Sequence, residues 1–118
     1  MSESILKSKS YDFALRIIKL FRHLADDKKE FVLSKQVLRS GTSIGANTEE
    51  ANQAQSTADF VHKLSIANKE AFETNYWLRL LRDSNLLEAR LANSILQDCE
   101  ELQRMLIASI RTSKRTLK

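Results

Sequence analysis

The residues able to do chemistry are few in this chain, and their spacing decides against most of what they might catalyse. Cys99 is the single cysteine, and His23 and His62 are the two histidines. A thiol nucleophile needs a base within hydrogen-bond reach and a third group to orient it. Cys99 instead lies on the flank of an apolar helical stripe, where it reads as a small buried hydrophobe. A di-metal carboxylate site in a helical bundle needs Glu-x-x-His repeats on two helices, and the nearest echo here is a single Asp59-x-x-His62. No glycine-rich phosphate loop or His-Glu-x-x-His pattern occurs. The polar set Asn47, Glu49, Glu50, Lys69, Glu70 and Glu73 is denser than a helical core requires, and it reads as a network fixing the register of two helices. The sequence therefore predicts no catalytic residue, no metal, no cofactor and no small-molecule substrate.

Charge is the stronger signal. Lys and Arg outnumber Asp and Glu by 19 to 15, and the excess is concentrated. Arg104, Arg111, Lys114, Arg115 and Lys118 close the chain with no acid among them, and Lys7, Lys9, Arg16 and Lys19 form a second basic stretch interrupted only by Asp12. Such a surface suits the phosphates of RNA or DNA, which it would bind without reading sequence. A solvated tail that aids solubility and contact with anionic lipid are the competing readings.

The elements that position these residues follow from composition. The 118 residues include no proline and two glycines, where average usage would give about six and about eight. An all-α fold is what remains. No apolar stretch approaches the roughly 18 residues of a membrane span, and a lone cysteine without an apolar leader points to the cytoplasm. Short polar breaks at 25–30, 53–57 and 82–85 divide one domain, residues 1–118, into four helices at about 10–25, 30–53, 57–83 and 86–113. Ser10 and Ser56 or Thr57 are the candidate N-caps.

Apolar spacing supports this division. Ile17, Leu20 and Leu24 fall within about 40° of Phe13 on the helical wheel. Phe60, Leu64, Ala67, Ala71 and Leu78 make the third stripe, and Leu87, Leu91, Ile95, Leu102, Leu106 and Ser109 the fourth. The Ser40-to-Gly45 segment is loop-like by propensity, yet Leu33, Val37, Ile44 and Ala51 keep helical spacing across it if Ser40 or Gly41 and Thr48 fill the gaps on the same face. The reading favours an unbroken second helix, with Gly41 and Gly45 side by side where another helix backbone approaches; the alternative is a break at Gly41. Short connections then make an antiparallel up-down-up-down four-helix bundle. That topology brings both basic stretches to one end, where Glu49, Glu50 and Asp59 would neutralise part of them.

Several large side chains point away from the core stripes. Tyr11, Leu15 and Ile18 lie about 140° to 200° from Phe13, and Ile66, Trp77 and Leu80 about 200° to 260° from Phe60. Leu96 and Ile107 add to them on the fourth helix. Together with Tyr76 they are the candidate oligomer interface, since monomers seldom expose contiguous apolar patches and aromatic residues anchor interfaces. The competing reading is a core wider than the stripes suggest.

The stretch from Gln36 to Ala51 resembles the signature Q-x-x-R-(S/A)-x-x-S-I-x-x-N-x-x-E-(G/A) of the 23S ribosomal RNA intervening-sequence family of bacterial four-helix-bundle proteins. The matching positions are Gln36, Arg39, Ser43, Ile44, Asn47 and Glu50. The segment Asp59 to Ala67, followed by Lys69-Glu70-Ala71, Glu73-Thr74 and Tyr76-Trp77-Leu78, is similar to that family's third helix. The resemblance implies a non-enzymatic bundle that assembles as a homopentamer. A related branch, the accessory variability protein of diversity-generating retroelements, binds a reverse transcriptase and nucleic acid through a basic surface. This sequence departs from the family in carrying Ala51 where many members have glycine and Gly45 where many have proline, and both changes favour an uninterrupted second helix.

Overall fold

The computed structural model describes residues 2–117, with the side chains of residues 5–117. Four helices form: α1 (Ser2–Arg22), α2 (Leu33–Ala51), α3 (Thr57–Asp83) and α4 (Ala89–Arg115), with a π-helical turn, His23–Asp27, closing α1. They make an all-α four-helix bundle. Gly41 faces Ile17 while Gly45 faces Ser10, so α2 runs against α1. Arg39 reaches Glu70 while Glu50 reaches Lys63, so α3 runs against α2. Lys9 reaches Glu101 and Arg16 reaches Asp98, which sets α4 antiparallel to α1. Contacts are broad between α1 and α2, α2 and α3, and α3 and α4, and thin between α1 and α4.

The sequence boundaries need three corrections. First, α1 begins at Ser2, not near residue 10, and Ser10 does not cap it. Leu6 extends the Phe13–Ile17–Leu20 stripe by two turns and is buried, while Ser10 lies within the stripe and donates its hydroxyl hydrogen to the Lys7 carbonyl at 3.0 Å. Second, α2 is trimmed to 33–51 and α4 starts at Ala89, after the buried Leu87. Third, the core face of α4 is rotated from the predicted stripe. Leu91 is 39% exposed whereas Ala92, Leu96 and Cys99 are buried, because α4 turns this flank toward α3, where the Cys99 thiol meets the Ala71 carbonyl at 3.3 Å. Leu96 therefore leaves the set of outward apolar residues.

The helix ends show how local chemistry sets these limits. Ser56 is extended and accepts the Asp59 N–H at 3.0 Å, leading α3 out of its turn. At α2 the same task falls to Glu30, three residues before the helix. Its carboxylate accepts N–H groups from Val32 at 3.1 Å, Leu33 at 3.0 Å and Ser34 at 2.7 Å, satisfying donors that a helix start leaves unpaired. Partial burial pushes the Glu30 carboxyl up, but these three hydrogen bonds outweigh it and hold the group below its ordinary value of 4.5.

α2 is continuous through both glycines, as the spacing indicated. A Cβ on Gly41 would lie 2.8 Å from Cγ1 and 2.9 Å from Cγ2 of Ile17, and one on Gly45 would lie 3.3 Å from the Ser10 carbonyl oxygen. The two helices approach closely because neither glycine carries a side chain there. On the flank of α2 that faces α3, the buried hydroxyls of Ser40 and Thr74 are 2.8 Å apart, a polar contact that ties α2 to α3 in one register.

Two predictions follow from this packing. Gly41→Ala gains about 1 kcal/mol of helix propensity, but it displaces the fully buried Ile17 at a cost of about 1–3 kcal/mol. Urea unfolding should show a net loss, and in an Ile17→Ala background the same change should become neutral or stabilising; a wild-type or higher midpoint for Gly41→Ala alone would refute the close-approach constraint. Glu30→Ala should cost about 1 kcal/mol at pH 7. Since the folded carboxyl is held low, its contribution is present above the ordinary value and is lost as the pH falls through the folded one. The gap between wild type and variant should therefore narrow below about pH 4 in pH-dependent melting.

Candidate nucleic-acid interface

Charge is distributed unevenly along α4. Asp98, Glu100 and Glu101 lie in its first half, and Arg104, Arg111, Lys114 and Arg115 in its second. Arg104, Arg111 and Arg115 fall within about 40° of one another on the helix, and with Lys114 they are exposed. Among the described side chains none of the four is in an ion pair, and Lys118 lies outside the described residues.

The basic residues of α1 are placed differently. Lys7 pairs with Glu49 at 3.5 Å, Lys9 with Glu101 at 3.2 Å and Arg16 with Asp98 at 2.7 Å. Arg16 also donates to the Ser94 hydroxyl at 2.8 Å. Lys19 is exposed, with no ion pair among the described side chains. The nine candidate phosphate contacts thus divide. Three are paired locally and stitch α1 to its neighbours, and of those without an ion pair among the described side chains four stand on the second half of α4. Of the acids expected at that end, Glu49 does meet Lys7. Glu50 turns to Lys63 at 2.9 Å, and a carboxylate oxygen of Asp59 accepts the Gln55 N–H at 3.4 Å.

Two of the signature residues of α2, Arg39 and Glu50, bridge to α3. Arg39 donates to Glu70 at 3.3 Å and to Glu73, and Glu73 also accepts the Trp77 indole N–H at 3.1 Å. Ser43 donates to the Arg39 carbonyl at 2.6 Å and Asn47 to the Ser43 carbonyl at 2.9 Å. Ile44 is fully buried in the core, and Gln36 is exposed. The hydrogen bond and charge of Glu50 raise the Lys63 ammonium above its ordinary value. The pairs Arg39–Glu70, Arg39–Glu73 and Glu50–Lys63 are the part of the expected register network that crosses from α2 to α3, whereas Asn47 bonds within α2 and Glu49 turns to Lys7 of α1.

Burial pushes the Cys99 thiol up to about 12, with the nearby charges of Glu100 and Asp98 adding to the effect, so the group is a protonated core residue at neutral pH. His23 is 2.9 Å from Asp27 at the end of the π turn, and His62 is exposed on α3. Among the described residues no three His, Cys, Asp or Glu side chains are grouped to hold a metal ion.

The outward apolar residues occupy two separate faces. Tyr11, 61% exposed, and Leu15 stand on α1 with the half-buried Ile18, and Phe72, 53% exposed, Tyr76 and Leu80 stand on α3. Because α1 and α3 are diagonal partners, these are two patches on opposite sides of the bundle, not one. Ile66 and Trp77 are half-buried, and Trp77 packs against the core and stacks edge-on to Tyr76 with ring centroids 5.3 Å apart. Phe72 was missed from sequence although Phe72, Tyr76 and Leu80 recur every four residues, which is a helical stripe. Glu30 was missed because its capping role depends on the chain turning back before α2. The partners of Lys9 and Arg16 are more than 80 residues away, beyond the reach of any spacing rule.

The sequence pattern of the 23S rRNA-intervening sequence protein family matches residues 2–108. Among solved structures, the chain is similar to a protein of unknown function from the S23 ribosomal protein family of Bacteroides thetaiotaomicron VPI-5482. The two are 51% identical with a TM-score of 0.93, and the alignment covers 94% of this chain and 99% of that one. No curated protein matches.

Proposed function

We propose that this chain, which belongs to the 23S rRNA-intervening sequence protein family, is a non-enzymatic helical-bundle protein of the cytoplasm that engages RNA or a ribonucleoprotein through the basic end of α4. The observation that carries this reading is the run Arg104, Arg111, Lys114 and Arg115, exposed and without a carboxylate partner among the described side chains, whereas three of the four candidate cations of α1 are paired. Four such contacts predict a salt slope of roughly −3 in log affinity for single-stranded RNA. Replacing Arg104, Arg111 and Arg115 together by Gln should flatten that slope by about 2 in a filter-binding titration. Absence of binding at about 50 mM salt, or a flat slope for wild type, defeats the reading.

A second reading, a protein-interaction module, is favoured by the two apolar faces. Unlike patches on opposite sides of one chain suit head-to-tail association, which closes into a ring when the rotation allows, and a homopentamer is what the family resemblance implies. On this reading the chain sediments at five times its 13.5 kDa mass. Leu15→Glu and Tyr76→Glu, on opposite faces, should each yield monomers. If both variants keep the wild-type mass, neither face is the interface.

A further inference from the structure

We infer that the groove between the α2–α3 turn and the last turns of α4 receives one nucleotide of single-stranded RNA; this rests on the nucleic-acid reading above and gives it a site. The groove has a volume of about 610 Å³, within the range that holds a small organic ligand. Its walls are Asn52, Gln55 and Thr57 from the turn and the start of α3, and Thr112 and Ser113 from α4, with Phe60 as the aromatic member. Among the described residues no charged side chain lines it, and the hydroxyls of Thr57, Thr112 and Ser113 make no hydrogen bond within the described part of the chain. Arg111, Lys114 and Arg115 flank Thr112 and Ser113 on the same turns of α4 and are exposed. Of the nearby acids, Glu50 pairs with Lys63, and Asp59, which is not a lining residue, accepts the backbone N–H of Gln55 at the groove wall.

These groups match what an unpaired ribonucleotide presents. Its phosphate suits the flanking cations, its 2′-hydroxyl and base edge suit hydroxyl and amide side chains, and its base face suits an aromatic ring. A duplex hides its base faces and would gain only the phosphate contacts. Three further hollows, of about 290, 330 and 400 Å³, lie against α1, and each includes Asp12; the first also carries Asp98 and Glu101, and the second Glu49. Their carboxylates would repel a phosphate, so charge selects the α4 groove.

The test is fluorescence anisotropy of the full chain with a labelled uridine dodecamer, an RNA duplex of equal length and the DNA counterpart of the single strand. Phe60→Leu keeps apolar bulk against the core but removes the ring, and base stacking of the usual strength makes its loss roughly fivefold or more on the single strand and negligible on the duplex. Thr57→Glu places a carboxylate in the groove, where an acid in the first turn of α3 also favours the helix; it should weaken single-strand binding at least as much. Gln97→Glu, exposed on the other half of α4, should leave binding unchanged. If wild type binds RNA with a salt slope while Phe60→Leu and Thr57→Glu match it, the groove assignment falls and the basic-surface reading stands. If wild type binds none of the three probes, both fall. Equal affinity for the DNA strand overturns the assignment to RNA.

Discussion

The distance between α1 and α2 is the constraint around which the bundle is arranged. Gly41 and Gly45 let the α2 backbone approach Ile17 and the Ser10 carbonyl to within the space a methyl group would occupy. Interiors packed at crystal-like density leave no slack to absorb such a group, so the position of α1 on α2 is fixed to a fraction of an ångström. Once α1 lies against α2, and α2 is joined to α3 by the Ser40–Thr74 contact and the Arg39–Glu70 pair, the place left for α4 is against α3. Its contact with α1 is then the thin one.

That asymmetry explains the distribution of charge. Where the α1–α4 seam lacks broad apolar contact, Lys9 and Arg16 bridge it to Glu101 and Asp98. Surface ion pairs of this kind contribute little to stability, about 0–1 kcal/mol each, but they remove two cations from the field seen by a polyanion. The far end of α4 lies beyond those acids, and its cations have no ion pair among the described side chains. Two basic stretches that look equivalent along the chain are therefore unequal in space. A similar separation holds for the apolar surplus, because helices that are diagonal in a square bundle present their outer faces in opposite directions.

Much of the architecture was legible in the sequence. The absence of proline, the three short polar breaks and the 3.6-residue spacing specify four helices, and Ser56 marks the start of α3 where it occurs. The α1 start was not legible, because Ser10 is a good capping residue by type and only its burial beside Gly45 shows that it sits in mid-helix. The α4 face was misjudged for a related reason. Leu91 and Leu96 are equally apolar, and the choice between them is made by which flank meets α3.

The sequence by itself determined the helical class, the continuity of α2 through its glycines and the concentration of basic residues at the two ends of the chain, since these depend on local propensity and periodicity. Tertiary structure decided which cations are neutralised, which apolar faces are separate and where a groove free of carboxylates opens. Those properties depend on pairs such as Arg16 and Asp98, which lie 82 residues apart in the chain and become neighbours only when the helices are packed.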